Sequence, residues 1–263
     1  MLRPVGYKGL MCVDEDSRPP IDSVTAAAID HKRTTLIAAD GNEFAVYEAS
    51  AGGDGITGVV ILPDVRGLFR FYEELAVRLA EAGHDAIAVD YFGRTAGVRD
   101  RGDEFPYQEH IALMTHEGLT ADVTAAISAL RQTNPGRRIF ILGCCFGGSS
   151  AWQQAACGHD LAGAIGFYGR PDSLRLQGSR SPMDLVAELA SPILALMAGD
   201  DPGIPAQTVA AFKSALQAAG VEHEVITYDG APHSFFDRKY DEYAEQSADA
   251  WSRVLEFIRV HSA

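Results

Sequence analysis

The segment of this chain best suited to covalent chemistry is Gly143-Cys144-Cys145-Phe146-Gly147-Gly148-Ser149. An apolar run, Ile139–Leu142, leads into it and a helical pattern leaves it. A nucleophile flanked two positions away on each side by glycine reads as a strand-to-helix elbow, here with cysteine in the reactive position. The glycines let the chain turn without Cβ clashes. Cys145 would then stand at the N-terminus of the next helix, where the dipole favours a thiolate. The N–H of Phe146 would point at the same spot and could hold an oxyanion. Taken alone, the segment reads more readily as a tight turn bearing two inert core cysteines. Chain order argues for the reactive reading. An acid, Asp200 or Asp201, follows the run Ile193–Leu196, and His233 follows the run Glu224–Tyr228. The order nucleophile, acid, histidine, each at a strand's carboxyl end, is that of a nucleophile–base–orienter triad built on an open α/β sheet.

Such a triad needs a parallel sheet to align it, and the pattern supplies one. Thr34–Ala38 and Phe44–Glu48 flank Asp40-Gly41-Asn42, a hairpin signal. Gly58–Leu62 is a continuous apolar run of the kind found in buried parallel strands. A helical pattern through Phe71, Leu75, Leu79 and Ala80 closes at Gly83, a C-cap residue. Further strands are expected at Ala86–Val89, Ile139–Leu142, Ala164–Tyr168, Ile193–Leu196 and Glu224–Tyr228. Helices are expected over His110–Leu130, Ala206–Ala219 and Glu242–Val260, and an irregular excursion over Asp172–Asp184. Strand and helix alternate without a repeat, which predicts one α/β domain over residues 32–263 with a mostly parallel sheet covered on both faces. Residues 1–31, with Arg18-Pro19-Pro20, read as an irregular N-terminal arm.

The composition of the 263 residues narrows the function classes. A hydrophobic fraction of 47% and a charged fraction of 22% describe a globular chain. The net charge of −14 repels phosphate backbones and anionic lipid, so neither nucleic acid nor membrane is an expected partner. Four cysteines are too few for a disulfide scaffold at this length, and no pair has zinc-ligand spacing. The first ten residues lack the apolar core of a signal peptide, so a cytoplasmic location with reduced thiols is expected. The other histidines are scattered, and neither a metal nor a cofactor is expected. Cys144 precedes the reactive position on its strand and should point into the core. Tyr168 ends a strand and either faces the site or packs in the core.

Three motifs together resemble the dienelactone hydrolase family, carboxymethylenebutenolidase-like members of the α/β-hydrolase superfamily. Gly143-Cys144-Cys145-Phe146-Gly147-Gly148 is similar to the family's G-x-C-x-G-G. Gly199-Asp200-Asp201-Pro202-Gly203-Ile204-Pro205 is similar to its G-x-D-x-x-x-P, and Pro232-His233-Ser234-Phe235 to its histidine segment. The resemblance runs from about Thr34 to Val260. It implies the α/β-hydrolase fold and a hydrolase of lactones or activated carboxylic esters. It assigns Cys145 as nucleophile, His233 as base and Asp201, rather than Asp200, as the residue orienting the histidine. It places the oxyanion hole at the amides of Val65 and Phe146, and a substrate-anchoring arginine at Arg94. Asp64 stands where the family has a glutamate that assists the cysteine, and is one methylene shorter. The arginine that the family often carries close behind its histidine is displaced by Asp237 to Arg238. The implied partner is a small ester or lactone, and the implied assembly a monomer or small homo-oligomer. A carboxylesterase or thioesterase with the same triad, a ligand-binding protein without catalysis and a redox dithiol are the other readings.

Overall fold

Alternation within the strands is what builds this fold. In the computed structural model, which describes residues 18–23, 29–52, 55–99, 101, 105–236 and 242–263, successive side chains of each central strand enter cores on opposite faces of one sheet. Val59 and Ile61 pack on one face, Val60 and Leu62 on the other. Phe140, Leu142 and Cys144 likewise oppose Ile139 and Ile141. Each such branched or aromatic side chain, removed from water, contributes about 1.5–3 kcal/mol of transfer free energy.

The strands are β1 (Asp30–Ile37), β2 (Glu43–Ser50), β3 (Thr57–Leu62), β4 (Asp85–Val89), β5 (Arg138–Cys144), β6 (Gly163–Phe167), β7 (Ile193–Asp200) and β8 (His223–Pro232). They form one sheet in the order β1-β2-β4-β3-β5-β6-β7-β8. The β1–β2 and β2–β4 pairs are antiparallel and the rest parallel. The expected hairpin is therefore the leading edge. The helices are α1 (Arg70–Glu81), α2 (Gly93–Ala96), α3 (Tyr107–Ile111), α4 (His116–Thr133), α5 (Phe146–Gln154), α6 (Ala206–Ala219) and α7 (Ala244–His261). Helices α1 and α7 cover one face, and α4, α5 and α6 the other.

Two expectations change. The helical stretch His110–Leu130 is not one helix: the chain breaks between α3 and α4, where the Thr115 side chain accepts the Gly118 N–H as an N-cap. The break is held by the 172–184 excursion, through His116 N–H to Gln177 C=O (2.9 Å) and Gln177 N–H to Met114 C=O (3.0 Å). The hairpin also begins earlier than expected, because β1 starts at Asp30 and pairs with Ser50. Of the N-terminal arm, residues 1–17 and 24–28 lie outside the described residues, as does Arg238.

Candidate active site

The elbow is built by close backbone contact. Cys145 has φ 55° and ψ −116°, a left-handed conformation costly for a residue with a Cβ. Its neighbours compensate by having none. A Cβ on Gly143 would collide with the Gly147 carbonyl, and one on Gly147 with the carbonyls of Leu62 and Pro63. The Cys145 N–H is fixed to the Phe167 carbonyl of β6 (2.9 Å). Phe146 is the first residue of α5, so its N–H has no acceptor within the helix. Cys144 is fully buried on the α1/α7 face, as expected, and Cys145 is partly exposed.

The acid and the histidine arrive from adjacent strands. Asp200 of β7 pairs in register with Pro232 of β8, so the next residues, Asp201 and His233, leave the sheet side by side. His233 Nδ1 lies 2.6 Å from Asp201 Oδ2, while Asp201 Oδ1 accepts the Gly203 N–H (2.8 Å). Burial opposes the charge on Asp201, but the hydrogen bonds from His233 and from the Gly203 and Ile204 amides outweigh it and hold the carboxyl below its usual range. Asp200 is exposed. The competing acid is thus separated from the histidine by a one-residue difference in register. Tyr168 is fully buried, with its ring 4.9 Å from the His233 ring and 5.7 Å from Phe235. It packs against the imidazole.

The opposite wall is the loop after β3. Asp64 is fully buried: its carboxylate accepts the Arg66 N–H (2.9 Å) and pairs with the Arg66 guanidinium (3.3 Å), which lies over the Phe69 ring at 4.4 Å. Arg66 is thus the arginine that pairs with Asp64. Val65 is partly buried against the α4-side core.

Arg94 differs from expectation. Its Nε and Nη2 grip the Asp122 carboxylate of α4 (3.0 and 2.8 Å), and Nη1 and Nη2 reach Asp40 in the hairpin turn (2.5 and 3.2 Å). Two carboxylates neutralise it, which leaves no spare charge for a substrate carboxylate. Its role is to tie α2 to α4 and to the β1–β2 turn.

The sequence reading also passed over Tyr91 and Tyr72. Tyr91 is 3% exposed and its hydroxyl donates to the Pro63 carbonyl (2.7 Å); Tyr72 is fully buried and its hydroxyl accepts the Asp64 N–H (2.9 Å). The one available signal was generic: a tyrosine in an apolar run must find a partner for its hydroxyl. Among the described residues no group of histidine, cysteine and carboxylate side chains is arranged to hold a metal ion, and no helix is long and apolar enough to cross a membrane.

This geometry can be set beside known proteins. The family model for the dienelactone hydrolase family matches residues 44–262. A Salmonella typhi protein named "Putative carboxymethylenebutenolidase" is 30% identical over 231 residues, covering 85% of each chain. The carboxymethylenebutenolidase of Rhodococcus opacus is 29% identical over 260 residues, covering 94% of this chain and 96% of its own. A crystal structure titled "Putative Dienelactone Hydrolase", from Klebsiella pneumoniae, superposes with a TM-score of 0.77 at 27% identity, covering 89% of this chain and 99% of that one. The family model spans strands β3 to β8 and the strand ends that carry Cys145, Asp201 and His233. The chain accordingly belongs to the dienelactone hydrolase family: it has the α/β-hydrolase fold and is a hydrolase acting on lactone or ester bonds.

Proposed function

We propose that this protein opens lactones or cleaves activated carboxylic esters through Cys145, His233 and Asp201. The observation that carries the reading is the left-handed Cys145 at a glycine-walled elbow, on the same sheet edge as a His233–Asp201 pair 2.6 Å apart. The Cys145 sulfur attacks the carbonyl carbon and its proton passes to His233. The carbonyl electron pair moves to oxygen, and the N–H groups of Val65 and Phe146 hold the oxyanion. Collapse expels the ring or ester oxygen, which takes the proton from His233, and leaves a thioester. His233 then deprotonates a water that cleaves the thioester and frees the acid. Asp201 keeps the Nδ1 proton on its side of the imidazole, so that Nε2 is the exchanging atom. The Cys145 proton reaches His233 directly or through a bridging water. A thiolate suits leaving groups such as enolates and aryloxides. It suits amides less well, because it is expelled from the tetrahedral intermediate before an amine.

The neutralised Arg94 favours a second reading, a carboxylesterase for uncharged esters. One experiment separates the two. Hydrolysis of a dienelactone and of p-nitrophenyl acetate is followed for the wild type, Cys145→Ala and Cys144→Ala. Cys145-dependent loss of the lactone supports the lactonase reading, and Cys145-dependent turnover of the ester alone supports the second. Equal loss of activity in Cys144→Ala and Cys145→Ala would remove the assignment of the nucleophile.

A further inference from the structure

We propose that Tyr91 and Tyr72 are positioning residues for the oxyanion hole, two buried phenols that clamp one peptide from both ends and so aim the Val65 N–H. The inference rests on the preceding assignment of Val65 as an oxyanion donor.

The Pro63 carbonyl and the Asp64 N–H belong to the same rigid peptide plane. Tyr91, just after β4, holds the carbonyl at 2.7 Å, and Tyr72, in α1, holds the N–H at 2.9 Å. The two phenols come from different elements, so the plane is fixed against rotation by the fold and not by the loop. The next peptide is the one that carries the Val65 N–H. Its carbonyl, that of Asp64, accepts the Gly67 N–H at 3.1 Å, and the Asp64 carboxylate accepts the Arg66 N–H at 2.9 Å. The amides of Asp64, Arg66 and Gly67 all find acceptors in this way. Among the described residues, that of Val65 alone in this run is left for a ligand. The Tyr91 ring also stands edge-on to the Phe146 ring, centroids 5.4 Å apart at 86°. One side chain thus touches the segments that bear both proposed donors. Burial, then the nearby Asp64, Cys144, Cys145 and Asp90, hold the Tyr91 phenol well above its ordinary range, so it stays a neutral donor.

A donor aimed in advance needs no reorganisation when charge develops on the substrate oxygen. Losing a whole oxyanion donor costs roughly 10²–10³ in rate; loosening one by removing a clamp should cost about 10-fold.

The test uses Tyr91→Phe and Tyr72→Phe, singly and together, in the full-length protein. Three measurements are made: kcat and KM for p-nitrophenyl acetate, affinity for an alkyl trifluoromethyl ketone, and the rate of Cys145 alkylation by iodoacetamide. The ketone takes the sulfur onto its carbonyl carbon, sends the thiol proton to His233 and leaves an oxyanion in the hole; alkylation needs no oxyanion. The clamp predicts that kcat and ketone affinity fall together by about 10-fold while KM and alkylation stay within about 2-fold. An unchanged kcat overturns it. So does alkylation that falls as far as kcat, which would mean that the phenols only support the elbow. If one variant does not fold, the other single variant carries the test. If the wild type turns over no ester, the proposed function falls, and equal ketone affinity in wild type and variants still overturns the clamp.

Discussion

Replacing Asp201 with asparagine tests the triad with the least structural disturbance. Asp201 Oδ1 accepts the Gly203 N–H at 2.8 Å, and only an oxygen can remain there. The introduced amide must therefore place its NH₂ group where Oδ2 now meets His233 Nδ1. A donor in that position forces Nδ1 to be the acceptor and puts the imidazole proton on Nε2. The neutral imidazole then cannot take a proton from Cys145, and its charged form loses a charge-assisted hydrogen bond that contributes about 1.5–3 kcal/mol. With tautomer and charge both wrong, kcat should fall by at least about 100-fold, or about 2.7 kcal/mol of barrier. KM and melting temperature should move little, because the side-chain volume is kept. The assay is steady-state hydrolysis of p-nitrophenyl acetate, with Asp200→Asn as a control expected to keep most activity because Asp200 is exposed. A loss of less than about 10-fold in Asp201→Asn, or an equal loss in Asp200→Asn, would refute the argument.

Three other outcomes follow from the same contacts. Gly147→Ala should lower stability by more than about 3 kcal/mol or abolish soluble expression, because its methyl group would meet the main-chain carbonyls of Leu62 and Pro63; urea unfolding or soluble yield measures this. Arg94→Ala should cost about 2–3 kcal/mol by leaving the Asp122 carboxylate, whose side chain is 5% exposed, without its cation, and should leave the ratio of anionic to neutral substrate turnover unchanged. A selective loss of anionic substrates would restore Arg94 as an anchor. Burial, with Arg131 adding to it, lowers the pKa of His159 to about 4, so below pH 6.5 the unfolded chain takes up a proton that the folded chain refuses. Stability should then decline as pH falls from about 6.5 to about 4, by up to about 3 kcal/mol from this residue, and His159→Asn should flatten that part of the urea-midpoint profile.

Much of the fold and part of the site are written in local sequence. The apolar runs of β3 to β8, the glycines around Cys145 and the order cysteine, acid, histidine are patterns within short windows, and short windows are where backbone preference and strand or helix periodicity act. Local pattern failed where a competing contact came from elsewhere: the helical stretch expected over His110–Leu130 breaks because Thr115 can cap and Gln177 can bridge, and Gln177 is far along the chain. Asp200 and Asp201 could be told apart from sequence only by family spacing. In the structure the distinction follows from the β7–β8 register, which sends one side chain to His233 and leaves the other in solvent. Arg94 sits in a segment that resembles the family's anchor, but the fold brings Asp40 and Asp122 to it from the hairpin turn and from α4. The Tyr91–Tyr72 clamp has no sequence signature, since it exists only once β4 and α1 flank the loop after β3. Sequence by itself determined which groups this protein carries and at which strand ends they emerge. Tertiary structure decided which of those groups are already satisfied by a partner and which remain available to a substrate, because a side chain's partner is set by what the fold places beside it and not by its neighbours along the chain.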